Sequence, residues 1–485
     1  MTVPQEILGL VGRFDNNRES YRSGTYNETQ LRREFVDPFF KLLGWDVNNE
    51  RDYAEAYKDV IHEDSIKIGG VTKAPDYCFR IGGTHKFFVE TKKPSVNLKD
   101  DISPAFQLRR YAWSAKLPLS ILTDFEEFAV YDCRVKPDKS DKSSTARILY
   151  LTCTEYAQRW DEIVEIFSRD AVLKGSFDRY AESTKVKKGT ASVDDAFLKE
   201  IESWRDTLAR TLALRNPGLN QHDLNFTVQR TIDRIVFLRI CEDRGMEPYG
   251  RLMALQNGDR AYARLCEMFH RADERYNSGL FHFQKDKGRA ESPDTLTLSL
   301  AIDDGVLKNI IKNLYYPDSP YEFSVISADI LGQVYEQFLG KVIRLTAGHR
   351  AVVEEKPEVR KAGGVYYTPT YIVDYIVKNT VGQLLDVGLQ NADLPTPKSP
   401  PGRGLFIPLL RGARGVFKNP QQVSKLKILD PACGSGSFLL GAYQYLLDWH
   451  RDWYVADGPE KWATGRSPTL YQVADSNSQS LAGSG

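Results

Sequence analysis

Apolar spacing in this 485-residue chain turns from mixed to almost wholly helical at a polar stretch, Ser183–Asp195, rich in Lys, Ser and Thr. Before it lie short strand-like runs at 76–81, 86–91, 119–122, 128–131 and 147–151, parted by turn signals such as Gly82-Gly83 and Thr123-Asp124. After it, from residue 196 to about 340, the spacing is almost wholly helical. A period of two and a period of 3.6 place side chains on different kinds of surface, so the two stretches must build different layers. A chain this long is expected to form about three domains. We place them at 1–182, 183–345 and 346–485.

Within the first region, Leu31, Phe35, Phe39, Leu42 and Leu43 are spaced to share one face of a helix, which Gly44 stops. A second helix is predicted from Pro104 to Ala115, between the strands, so this region reads as one compact α/β domain. Beyond a Pro-rich stretch at 394–404, Leu426–Leu429 reads as a strand and Ser437–Asp448 as a helix.

Composition excludes more than it assigns. The chain carries 65 basic and 65 acidic residues, so any affinity for nucleic acid must come from local patches. The cysteines at 78, 133, 153, 241, 266 and 433 are scattered without a Cys-x-x-Cys pair, which suggests neither a zinc site nor a disulfide framework. No apolar run approaches the roughly 20 residues of a membrane span. A cytoplasmic setting is expected, with no membrane partner.

Strand alternation in Phe87-Phe-Val-Glu-Thr-Lys92 sends Glu90 and Lys92 to one face. Asp76 opens the preceding strand, and the Gly82-Gly83 turn would pair the two strands as a hairpin. Two carboxylates brought that close repel unless a hard cation lies between them, and oxygen ligands suit Mg²⁺. Lys92 beside such an ion would orient an attacking water or offset charge on a phosphorane-like transition state. The chemistry implied is hydrolysis of a phosphodiester. The same spacing also fits an ordinary solvated strand face. Gln107 and Tyr111 lie one turn apart on the following helix, with Arg109 and Arg110 available to phosphates. Glu34, on the helix before the hairpin, would complete a carboxylate set; it is equally compatible with a solvent-facing helix glutamate.

In this order these elements resemble the PD-(D/E)xK nuclease fold, in the variant with a Gln-x-x-x-Tyr helix that is typical of type I restriction subunits and type IIG enzymes. The resemblance implies a restriction-endonuclease-like α/β/α domain acting on double-stranded DNA. It implies Glu34, Asp76 and Glu90 as metal ligands, Lys92 as catalytic lysine, and Gln107 and Tyr111 as accessory catalytic groups.

A second string, Asp430-Pro-Ala-Cys-Gly-Ser-Gly-Ser-Phe438, follows the expected strand and opens a helix, where open α/β sheets bind nucleotide-like ligands. It resembles the S-adenosylmethionine loop of adenine-specific DNA methyltransferases. That resemblance implies cofactor contacts from Asp430, Ala432, Gly434, Gly436 and Phe438, and leaves Cys433 as a small buried loop residue. Upstream, Gly364-Val-Tyr366-Tyr367-Thr368-Pro369 resembles the element that closes over the methionine end, and adds Tyr366, Tyr367, Thr368 and Pro369 to the cofactor set. The helical stretches 233–245, 276–281 and 331–340 resemble the spacer of single-chain restriction-modification enzymes, where Arg234 and Glu242 read as structural ion pairs.

The resemblance therefore implies the N-terminal part of a type IIG restriction-modification enzyme: a nuclease domain, an all-helical spacer and an incomplete Rossmann-like methyltransferase domain. Enzymes of this kind hold the flipped base with an Asn-Pro-Pro-aromatic motif, and no such string occurs in this sequence. We expect no methylation from the chain alone and a missing C-terminal methyltransferase and target-recognition part as a partner. Two rival readings remain: a modification-type, phage-defence methyltransferase fragment without nuclease activity, and a catalytically dead DNA-binding remnant.

Overall fold

Phe87, Phe88 and Val89 are buried on both sides of one strand, and a strand covered on both faces must lie inside a layered domain. In the computed structural model that strand is β3 of a six-stranded sheet. The described residues are 3–462, apart from 54–57, 63–66, 69–70, 73–74, 184–190, 277, 286–291, 327–330, 333, 335–337, 339, 357–367, 369, 386–418, 432 and 434–435. They form two compact units, Met1–Gly364 and Val365–Gly485.

The sheet comprises β1 (Val60–His62), β2 (Tyr77–Ile81), β3 (Thr84–Thr91), β4 (Leu119–Thr123), β5 (Glu127–Asp132) and β6 (Arg147–Thr152), in that spatial order. Only the β3–β4 pair is parallel; the others are antiparallel. Two glycines with positive φ, Gly82 at 56° and Gly83 at 82°, make the tight β2–β3 turn. One sheet face packs Phe79, Phe87, Val89 and Ile121 against the helices α1 (Gln5–Asn16), α2 (Arg18–Arg22), α3 (Glu28–Leu31) and α4 (Asp37–Leu42), where Phe14 of α1, Phe39 of α4 and Phe35 between α3 and α4 fill the layer. On the other face Phe88, Leu122 and Tyr131 meet Leu108, Tyr111 and Ala112 of α5 (Ile102–Ser114). The five predicted strands and the α5 helix are present; the edge strand β1 was not foreseen.

The segment 28–43 is helical as its spacing predicts, but it is not one uniform helix. An Asn27–Gln30 capping box starts α3, residues Arg32–Val36 then take a π turn, and Pro38 lies in the first turn of α4. Gly44, at φ 86°, ends the run. The first face closes with α6 (Trp160–Phe167), α7 (Arg169–Leu173) and α8 (Ser176–Ser183), through Ile163, Phe167 and Phe177.

Beyond residue 190 the unit is helical: α9 (Val193–Arg215), α10 (Gln221–Asp243), α11 (Ala261–Tyr276) and α12 (Asp304–Lys312) share a core. Much of the helix expected over 327–339 lies outside the described residues. A hairpin, β7 (Lys341–Leu345) and β8 (Ala351–Glu355), follows it and is tied to α10 by reciprocal hydrogen bonds between the Asn225 side chain and the Ile343 backbone. Arg234 pairs with Asp294 at 2.7 Å, and Arg239 with Asp243 at 2.7 Å. Glu242 accepts hydrogen bonds from the backbone N–H groups of Gly250 and Leu252 and from the Tyr315 hydroxyl. These buried charges are all held by partners, as buried charges must be.

In the second unit α13 (Thr370–Leu384) packs on α15 (Ser437–Ala456) through Val373, Val377, Val381 and Ala442, and a short helix, α14 (Pro420–Val423), lies between them in sequence. The strand expected at Leu426–Leu429 is not formed; these residues take no regular structure, and Leu429 is 87% exposed. A strand exists only where a neighbour takes its backbone hydrogen bonds, and no described residue of this unit supplies one.

Candidate active site

The β2–β3 hairpin and α5 converge on Glu90. Its carboxyl is almost fully buried and points to the α5 side, where Oε1 accepts hydrogen bonds from Lys92 Nζ at 2.5 Å and Gln107 Nε2 at 2.8 Å. The alternation of β3 therefore does put Glu90 and Lys92 together. Oε2 of Glu90 is buried and has no hydrogen-bond partner. Burial pushes this carboxyl up to about 8; the charge of Asp76 pushes the same way and Lys92 pulls it back. Burial alone would lower the Lys92 ammonium, but the neighbouring carboxylates outweigh it and hold it above its ordinary range.

Asp76 sits in the bend before β2. Its Oδ2 accepts from Thr91 N at 2.7 Å and Thr91 Oγ1 at 2.6 Å, while Oδ1 lies 3.3 Å from Arg32 Nη1. The charge of Asp76 thus bears on both Glu90 and the Lys92 ammonium, and each carboxyl keeps an oxygen not held by the strand backbone. Tyr111 is buried under Gln107, with which it shares a hydrogen bond; burial and the charges of Glu322 and Glu90 push its hydroxyl well up, so it stays protonated.

Other sequence expectations are displaced. Glu34 does not join this pair: its charge bears on Tyr26, its carbonyl takes Arg13, and among the described residues no three His, Cys, Asp or Glu side chains gather as an ion-binding group. The helix carboxylate whose charge reaches Glu90 and Lys92 is Glu28, six residues earlier. The π turn moves the register of this helix, which a uniform 3.6 spacing does not anticipate. Arg109 and Arg110 are not available to phosphates. Arg109 is 1% exposed and pairs with Asp141 at 2.7 Å. Arg110 donates to the Tyr321 carbonyl at 2.7 Å and lies 3.5 Å from Glu322, joining α5 to the helical region. Sequence reasoning also missed Arg32 and Thr91; the Glu28–Arg32 spacing of four on a capped helix was the available signal for the first.

Of the proposed cofactor set, Tyr366, Tyr367, Pro369, Ala432 and Gly434 lie outside the described residues. Asp430 and Thr368 are half-buried, and Gly436 has φ 79°, a conformation that favours glycine. Phe438 packs against α13. Cys433 is exposed, not buried.

The chain is similar to two fused enzymes. It is 35% identical over 463 residues, 95% of its length, to the type II restriction enzyme and methyltransferase RM.Eco57I of Escherichia coli, of which the match covers 42%. It is 23% identical over 91% of its length to the putative type II restriction enzyme and methyltransferase RM.MjaORFECS2P of Methanocaldococcus jannaschii, again over 42% of that protein. A third relative, the adenine-specific methyltransferase BrxX of Escherichia coli, is 24% identical over 34% of the chain and 13% of its own. No family model matches. By homology the chain is thus a relative of the type II restriction enzyme–methyltransferases. It spans less than half the length of the two fused relatives. No described helix is long and apolar enough to cross a membrane.

Proposed function

We propose that the first unit of this chain carries a Mg²⁺-dependent centre for cutting double-stranded DNA, in a type IIG restriction-modification enzyme whose second activity is adenine methylation. One observation supports it above the rest: the charge of Asp76 bears on the buried Glu90 carboxyl at the hairpin, with Lys92 and Gln107 on one carboxyl and Thr91 on the other. The buried, unpartnered Glu90 Oε2 and the charge of Asp76 pressing on that carboxyl fit a divalent ion between them. Mg²⁺ needs only one or two carboxylates when water and phosphate oxygens complete its shell, so the pair suffices without Glu34. When bound, the ion would polarise the scissile phosphate and acidify the attacking water. Thr91 fixes the Asp76 carboxylate, Gln107 orients Glu90, and Lys92 holds a positive charge beside the position where the pentavalent phosphorus would develop negative charge. Glu90 first, then Asp76 and Glu28, offset the burial of that ammonium and keep it protonated.

The test is Mg²⁺-dependent nicking of mixed-sequence duplex DNA by the full chain. Asp76→Ala and Lys92→Ala are each expected to abolish it, and cleavage unchanged in both variants refutes the reading.

In the second unit the Asp430–Phe438 string and Thr368 support an S-adenosylmethionine-binding role. This sequence contains no Asn-Pro-Pro-aromatic string to hold a flipped adenine, so we expect no methylation of DNA by it alone. Incorporation of labelled methyl groups into duplex DNA would overturn that. The similarity to BrxX favours one alternative, a modification-type protein without nuclease activity. The nicking assay above separates it from the nuclease reading, and salt-dependent DNA binding without cleavage at any Mg²⁺ concentration would instead support a catalytically dead DNA-binding remnant.

A further inference from the structure

Thr91 holds one oxygen of Asp76 with two hydrogen bonds, and Arg32 stands at the other. The Arg32 and Asp76 side chains are only 13% and 15% exposed. Glu28, four residues earlier on the same helical face, adds its charge to Glu90 and Lys92. The α3 face therefore delivers a carboxylate and a guanidinium to the hairpin site, and the π turn begins at Arg32 itself. Such turns are found mostly as single insertions, frequently at functional sites.

Two features set Arg32 apart from a structural ion pair. Asp76 is already anchored by Thr91 and does not need a guanidinium to fix its position. Asp76 Oδ1 is also the oxygen a divalent ion must take, since Oδ2 is occupied by Thr91. A guanidinium is planar, permanently charged and offers five N–H groups in a fork that matches phosphate. Resting on from the nuclease reading above, we infer that Arg32 is a phosphate-binding residue of the nuclease centre, held on Asp76 Oδ1 in the metal-free protein and released to the scissile phosphate when a divalent ion takes that oxygen.

The experiment uses the full chain and the variants R32Q and R32K. Mg²⁺ binding is measured by calorimetry without DNA, and nicking is measured at saturating Mg²⁺. Loss of a competing cation should make R32Q bind Mg²⁺ roughly three- to fivefold more tightly. Loss of a donor to the reacting phosphate should slow its nicking by about 10²-fold. R32K, which keeps the charge without the fork, should leave Mg²⁺ affinity near wild type and recover part of the rate. If R32Q does not fold, R32K alone decides: a wild-type rate and DNA KM in R32K overturn the inference. R32Q that binds Mg²⁺ no more tightly, or nicks as fast as wild type, overturns it too. A wild-type chain that binds no Mg²⁺, or a D76A chain that binds it undiminished, sinks instead the metal-centre reading on which this rests.

Discussion

Glu90→Gln is expected to stabilise the metal-free protein, and to do so only above the ordinary titration range of a carboxyl. Glu90 is 3% exposed, and its ordinary value of 4.5 is pushed up to about 8, chiefly by burial. Below pH 4.5 the folded and unfolded chains both hold the proton. As pH rises towards 8 the unfolded chain releases it while the folded chain keeps it, so folding stability falls across that window. A displacement of this size corresponds to an upper bound of about 4–5 kcal/mol at pH 8, and relaxation around the ionised group should leave roughly 2–3 kcal/mol. Glutamine keeps an acceptor for Lys92 and Gln107 and has no proton to lose. Thermal unfolding in EDTA at pH 5, 6.5 and 8 should therefore show the variant's advantage growing with pH. Mg²⁺ at pH 8 should stabilise the wild type and leave the variant unmoved. A stability difference that is constant across the three pH values would refute the claim that a buried, strained carboxyl awaits a cation here.

Thr91→Val removes the hydroxyl that donates to Asp76 Oδ2 at 2.6 Å, a charge-assisted bond, and should weaken Mg²⁺ binding about tenfold by calorimetry without unfolding the domain; unchanged affinity would show that Asp76 needs no anchoring. Arg110→Gln breaks a buried pair with Glu322 and a 2.7 Å bond to the Tyr321 carbonyl, and should cost about 3 kcal/mol of stability. The salt dependence of DNA binding should not move in that variant, and a shallower slope would return Arg110 to the phosphates. In the second unit, a Cβ on Gly441 would stand 2.6 Å from Val373 Cγ1, so Gly441→Ala should loosen α15 from α13 by roughly 1–3 kcal/mol, read as faster hydrogen exchange over 437–456. Adding Val373→Ala should restore protection, and no rescue would mean that the close approach is not what matters.

The sheet was readable because its strands are short apolar runs ended by residues that cannot continue them: Gly82-Gly83 turns β2 into β3, and Phe125, at φ 68°, turns β4 into β5. The edge strand β1 escaped because Val60–His62 is three residues long, with one buried side chain and too little pattern to count. Hairpin β7–β8 escaped for a related reason: it is fixed by Asn225, more than a hundred residues away, and such a tie leaves no local signature. At the other extreme, Leu426–Leu429 carries a strand's composition and forms none. Propensity describes how well a segment would fit a sheet, and only neighbouring strands can make it one.

The same distinction divides the candidate site. Glu90, Lys92 and Asp76 were legible because one hairpin brings them together, and the geometry of a hairpin is local. Gln107 was legible because α5 follows directly and its face repeats every turn. What the sequence concealed is the set of charges that arrive from a different element and those that leave for one. Arg109 and Arg110 read as phosphate contacts because a pair of arginines beside an acidic centre is a sensible pattern. Yet Asp141 takes the first, and Tyr321 and Glu322, over two hundred residues on, take the second. Glu34 read as the third carboxylate because the resemblance implies one on the helix before the hairpin, whereas Glu28 and Arg32 are the residues of that stretch whose charges meet the hairpin. A single inserted residue in a helical turn rotates everything after it by about 100°. Glu28 and Arg32, four residues apart, meet the hairpin site before that rotation takes effect, while Glu34 lies within the π turn, so the helix brings a guanidinium as well as an acid.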